Sequence, residues 1–157
     1  SYAGYSWVVV GLAAIPSAPV WMKLMTRFST ISMMALAYAL QIIGILLPVV
    51  SQTVWSVLLS AFLFGFTFVG LVTMSTGYAR ALFPKQSAYV VSMLTTFYAL
   101  GQIVGPVIAS RLETHYATFK APLLFAGIIV TLALLILMIG YTYSKKKSVP
   151  VAKELYN

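Results

Sequence analysis

The stretch Thr95–Ser110, TTFYALGQIVGPVIAS, constrains this chain more than any other. Gly101 and Gly105 stand four apart, and Pro106 follows at once. In a soluble helix a Gly-Pro step reads as a stop signal. Yet the apolar run continues from Ala88 to Ala109, long enough to cross a bilayer at ~1.5 Å per residue. A membrane-spanning helix can keep such a step, provided neighbouring helices satisfy or shield the freed carbonyl. The stretch therefore demands close helical partners.

Composition supplies the solvent. Of 157 residues, 61% are hydrophobic and 8% are charged. Soluble domains carry roughly a quarter charged residues, so ten basic and two acidic side chains cannot clothe a water-facing surface of this size. The class is an all-α integral membrane bundle. A β-barrel would alternate apolar and polar residues, whereas these apolar runs are continuous. The net charge of +8 does not indicate nucleic acid, because the basic residues lie between apolar runs and in the tail, where topology signals sit. There is no cysteine and one histidine, His115, with Glu113 and Glu154 as the two acids. That inventory offers no metal cage, no paired-carboxylate chemistry and no cofactor site. The chain opens on Ser1 and shows no signal-peptide pattern, which leads us to expect the back part of a longer protein.

Five spans follow, at about 5–22, 31–50, 54–79, 88–109 and 122–144, with a basic tail over 145–157. The first contains Pro16 and Pro19 and should bend. Its Ala13 and Ser17 form a small-xxx-small pair suited to close packing. The second is interrupted only by Gln41 and Gly44, and Gln41 should face another helix. In the third, Phe62, Phe64, Phe66 and Phe68 surround Gly65. At 100° per residue these rings spread over more than one face, so most are packing or lipid residues. Thr73, Ser75, Thr76 and Tyr78 make its last turns polar. Ser87 suits the N-cap of the fourth span and Pro122 the first turn of the fifth, which is almost wholly aliphatic and should lie at the periphery.

Charge sets orientation. Lys23, Arg27, Arg80, Lys85, Lys145, Lys146, Lys147 and Lys153 fall on one side of five alternating spans; only Arg111 and Lys120 fall on the other. The positive-inside rule makes the first side cytoplasmic, placing the C-terminus inside, as in a bacterial inner (plasma) membrane.

These residues resemble the C-terminal half of a major facilitator superfamily (MFS) transporter, closest to the YbfB/YjiJ-type branch. GQIVGP at Gly101–Pro106 is similar to the superfamily's Gly-x-x-x-Gly-Pro element, at the eleventh helix. The basic link Lys23–Ser29 sits where the repeated Gly-x-x-x-Asp-Arg-x-Gly-Arg motif falls, with Arg27 matching its arginine and Ser29 its second glycine. Thr26 stands at the aspartate position, so the family's gate-latching charge network cannot form in the usual way. Five spans against the family's six in a half imply that the seventh helix is absent and that the rest of the pathway lies in a missing N-terminal half.

The resemblance implies two bundles rocking about a central site, with helices seven, eight, ten and eleven lining the path. The polar groups of the first, third and fourth spans would then face it: Ser17, Thr67, Thr73, Thr95, Tyr98 and Gln102. Gly101, Gly105 and Pro106 would serve helix packing or gating, and Lys23, Arg27 and Arg80 the cytoplasmic loops. Gln102 serves either as a solute ligand or in a helix–helix hydrogen bond. No span carries His, Asp, Glu or Cys, which disfavours an intramembrane enzyme. The expected partners are the bilayer, the missing half and a small, amphipathic or hydrophobic solute. A non-transporting scaffold is the alternative, and it predicts that these polar groups are all consumed in helix contacts.

Overall fold

The computed structural model describes the backbone of residues 2–154 and the side chains of residues 4–144. Five helices account for nearly all of it: α1 (Tyr2–Met25), α2 (Thr30–Val50), α3 (Val54–Leu82), α4 (Ser87–Tyr116) and α5 (Lys120–Glu154). A single 3-10 turn, Pro84–Gln86, joins α3 to α4. All five helices are long and apolar enough to cross a membrane.

The helices overrun the limits that hydropathy sets, because a helix has no reason to end where lipid does. α3 continues to Leu82, so Arg80 stands on its last turn rather than in a connection. α4 continues through Gly105-Pro106 to Tyr116, so Arg111, Glu113 and His115 are helical and the link to α5 shrinks to residues 117–119. α1 likewise carries Lys23 in its last turn, and it is a single helix through both Pro16 and Pro19. α5 runs past Ser144 to Glu154, and the side chains of Lys145–Lys147 and Lys153 lie outside the described residues. Ser87 is not the N-cap of α4: Gln86 holds that position, and Ser87 already has helical angles (φ −57°, ψ −41°). The turn before it supplies the geometry that a capping hydroxyl would otherwise fix. Pro122 does lie in the first turn of α5, where its missing N–H has no intrahelical partner to lose.

α3 is the centre. α1 packs on it most extensively, α2 next, and α4 along another face; α5 lies against α2 and α4. Small residues and backbone carbonyls make the α1–α3 contact. A methyl group on Gly65 would lie 2.9 Å from the carbonyl carbon and Cα of Val10, and closer still to its oxygen. One on Gly70 would enter the Trp21 ring. Backbone approach of this kind is what small residues allow in lipid, where no hydrophobic force drives helices together. Ala13 and Ser17 are buried in the same contact, as the small-xxx-small spacing predicts. Ser17 Oγ and Trp21 Nε1 both donate to the Phe66 carbonyl oxygen, the second at 2.9 Å. Trp21, Met33, Met34, Ala37, Leu71 and Met74 close into the buried cluster below.

The contacts also fix direction. Val10 meets Gly65 and Trp21 meets Gly70, so α1 and α3 run parallel. Ser56 Oγ donates to the Leu47 carbonyl at 3.2 Å and Gly44 meets Leu63, so α2 runs against α3. Gly127 meets Leu46 while Gly140 and Tyr141 share a groove with Ile31, so α5 runs against α2. The links after α1 and after α3 therefore lie at the same end of the bundle, as alternating spans require.

Gln41 faces inward and is 7% exposed, in keeping with an amide that avoids lipid. Its Oε1 is buried with no hydrogen-bond partner among the described residues. Six residues of α2 are buried, and α2 packs against both α3 and α5.

Candidate functional site

The six polar candidates divide into two groups with different fates. Ser17 and Thr67 are fully buried. Ser17 binds the Phe66 carbonyl across the α1–α3 contact, and Thr67 Oγ1 donates to its own helix at Leu63 O, 2.7 Å away. Neither hydroxyl opens onto a path in this arrangement. The reason is local: a lone hydroxyl in lipid satisfies itself on a backbone carbonyl within its own turn or on a touching helix. Thr73 is half-buried and does the same, donating to Val69 O at 2.9 Å.

The second group lies on α4. No residue of α4 is buried, and α4 touches only α3 and α5 among the other α-helices. Thr95, Tyr98 and Gln102 follow one another at helical spacing along it. Gln102 Nε2 donates to Tyr98 Oη at 2.8 Å, and Tyr98 leans its ring on Phe68 of α3, centroids 5.9 Å apart. Between the two helices runs a groove of about 270 Å³ lined by Val72, Ser75 and Thr76 of α3 and Leu94, Thr95 and Tyr98 of α4. Ser75 and Thr95 hydroxyls donate to Val72 O and Val91 O, so they show acceptor lone pairs to the groove. The Tyr98–Gln102 pair is neutral and keeps both a donor and an acceptor to spare. No charged side chain lines the groove. It can hold an uncharged body with one or two hydrogen-bonding groups.

Gly101 and Gly105 face open space: a methyl group on either would meet nothing within 4 Å. Within the described residues they pack against no helix, and Pro106 sits beside them on the same exposed stretch. Lys23, Arg27 and Arg80 are exposed at the shared end. Arg27 makes no ion pair among the described residues. Thr26, at the position where the motif carries aspartate, turns its hydroxyl to Lys23 O at 2.7 Å and closes the last turn of α1.

Sequence reasoning missed Trp21. Its indole is 1% exposed, hydrogen-bonded to α3 and covering Gly70. A Trp within a few residues of a basic loop resembles an interfacial anchor, and only the packing of α3 distinguishes the two. Trp55, by contrast, is 81% exposed at the start of α3, as an interfacial Trp should be.

The family described as the uncharacterised MFS-type transporter YbfB matches residues 2–138, which takes in α1 to α4 and most of α5. The chain belongs to this MFS-type transporter family. No protein of curated function and no solved structure matches it. Membership and five apolar helices make this member of the YbfB-type family a multi-pass integral membrane protein. In this family member, α4 carries the exposed polar line and forms one wall of the groove beside it.

Proposed function

We propose that this chain is the helix-eight-to-twelve portion of an MFS secondary transporter, and that α4 and α3 present one wall of its solute path. The observation that carries the reading is the Tyr98–Gln102 pair, which stands with Thr95 on an unburied helix beside a hydroxyl-lined groove. A scaffold would use these groups in hydrogen bonds between helices, as Ser17 is used; Gln102 bonds Tyr98 on its own helix, and Tyr98 meets α3 through ring contact alone. The solute is small and uncharged where this wall touches it, with an apolar or aromatic body and hydrogen-bonding groups. Alternating access then consists of the tightly packed α1–α3 unit rocking against the N-terminal half, as inverted-repeat transporters do. The GQIVGP face of α4 is left for the missing seventh helix. The shared basic end is cytoplasmic and the membrane is a bacterial inner membrane.

This chain contains no cysteine, so with any cysteine of the N-terminal half replaced by serine the reagent reads only the introduced thiols. Thr95→Cys and Gln102→Cys in the full-length protein should react with a membrane-impermeant methanethiosulfonate reagent, and Ile136→Cys on α5 should not. Protection of both positions from reagent on either side of the membrane would overturn the reading.

A further inference from the structure

A second groove lies between α2, α3 and α5, with no residue of α4 in its lining. It measures about 650 Å³ and is lined by Ile31 of α2, Tyr78 and Leu82 of α3, and Ile136, Leu137, Gly140, Tyr141 and Ser144 of α5. Its floor is aliphatic, and two tyrosines mark it at the end of the bundle where the chain turns after α1 and α3. That end is the basic one. Lys23, Arg27, Arg80 and Lys85 are exposed there, and Lys145, Lys146 and Lys147 follow Ser144 in an unbroken helix. The two acids, Glu113 and Glu154, include none on the described side chains of this end, since Glu113 stands on α4 beside the opposite link. Tyrosine belongs at the headgroup level, where its ring meets acyl chain and its hydroxyl meets water. An aliphatic trough with two tyrosines in its lining, at the end of the bundle where Lys23, Arg27, Arg80 and Lys85 are exposed, matches one molecule of the surrounding medium in both charge and shape.

We infer that this α2–α3–α5 groove is a binding site for a single anionic phospholipid, its acyl chain along Ile31, Leu82, Ile136 and Leu137 and its headgroup phosphate among the basic residues at that end. Charge complementarity selects an anionic over a zwitterionic headgroup, because each basic residue near the surface adds to the attraction. The groove, rather than charge alone, holds the lipid in place. The site does not depend on the proposed solute path, with which it shares no lining residue.

Gly140 makes the test selective. A Cβ added there meets nothing within 4 Å, and Gly140 lines the groove, so Gly140→Leu projects its side chain into the groove from an unobstructed Cβ. Gly77 of α3 is equally open but does not line the groove, so Gly77→Leu is the matched control. The full chain is placed in nanodiscs of equimolar dioleoyl-phosphatidylglycerol and dioleoyl-phosphatidylcholine, extracted mildly, and its retained lipid counted by native mass spectrometry. Wild type and Gly77→Leu should retain one phosphatidylglycerol in preference to phosphatidylcholine. Gly140→Leu should lower that retention about fivefold or more, and Lys145, Lys146 and Lys147 together changed to Gln should lower it similarly. No preference in wild type would overturn the inference. So would a loss with the lysine variant but not with Gly140→Leu, which is general surface attraction. So too would a change in oligomeric mass with Gly140→Leu at constant lipid, which assigns the groove to a second copy.

Discussion

Gly65→Ala should loosen the whole bundle. The new methyl would stand 2.9 Å from two backbone atoms of Val10 and nearer to a third, where carbon contacts settle at ~3.5–4.0 Å. Backbone cannot rotate away as a side chain can, so α1 and α3 must separate by roughly 1 Å at the crossing. That displacement stretches the Trp21–Phe66 hydrogen bond from 2.9 Å past the useful range and strains the Ser17 bond to the same carbonyl. Interhelical bonds in lipid are worth ~0.6–1.7 kcal/mol each, and overpacking costs ~1–3 kcal/mol, so the total is about 2–6 kcal/mol. That is a large share of the ~5–15 kcal/mol that holds a typical domain together. Trp21 reports on it, because Trp7 and Trp55 are 74% and 81% exposed and can be changed to Phe. Unfolding in mixed dodecyl maltoside–SDS micelles, followed by Trp21 emission, should begin at clearly lower SDS for Gly65→Ala. Gly101→Ala, on the open face of α4, should shift it by less than ~1 kcal/mol. Equal unfolding of both variants would refute the close α1–α3 crossing.

Other substitutions test other parts. Trp21→Phe keeps the ring packing and removes one donor, so the same SDS titration should show a loss of ~0.6–1.7 kcal/mol. Gln41→Met removes a buried carbonyl oxygen that lacks a partner and should be neutral or stabilising by about 1 kcal/mol in thermal unfolding. Ala117 holds a left-handed backbone (φ 49°) at the end of α4, so Ala117→Gly should raise the melting point through a gain of ~1 kcal/mol. Tyr98→Phe and Gln102→Leu in the full-length protein should reduce solute flux while leaving the SDS unfolding midpoint in place, since neither side chain is buried. A C-terminal green fluorescent protein fusion should fluoresce and an alkaline phosphatase fusion should stay inactive if the basic end is cytoplasmic.

The five spans were legible because lipid imposes one requirement on every turn, and composition records it directly. Their ends were less legible. Arg80, Arg111, Glu113 and His115 look like loop residues by charge, yet a helix in water satisfies its own backbone as well as one in lipid, so α3 and α4 simply continue. Ser17 and Thr67 look like path residues because a hydroxyl is unusual in a span. Their spacing cannot tell a hydroxyl that faces a cavity from one that binds a carbonyl, and both turned out to be bound. The closest contacts, Gly65 on Val10 and Gly70 on Trp21, join residues about fifty positions apart, and no local pattern pairs them. The α4 line was readable for the opposite reason. Tyr98 and Gln102 lie one turn apart, and their bond is a property of a single helix.

That division bears on how the bundle can move. Ser17 and Trp21 of α1 are locked onto α3, both donors converging on the Phe66 carbonyl, with Gly65 against the Val10 backbone on one side and Gly70 under the Trp21 ring on the other. Such a contact resists sliding, because any shift breaks both bonds together and drives backbone into backbone. α4 has no such lock. It meets α3 through ring contact at Phe68–Tyr98 and the walls of a groove, with its glycines facing open space. If the bundle changes shape during a transport cycle, the adjustable joint is therefore at α4, around the Gly101–Gly105–Pro106 step, and the α1–α3 pair travels as one body. A disulfide across α1 and α3 would then leave transport intact, whereas one pinning α4 to α3, for example Thr76→Cys with Thr95→Cys across the groove, should arrest it. Transport that survives the second crosslink and fails with the first would put the joint in the wrong place.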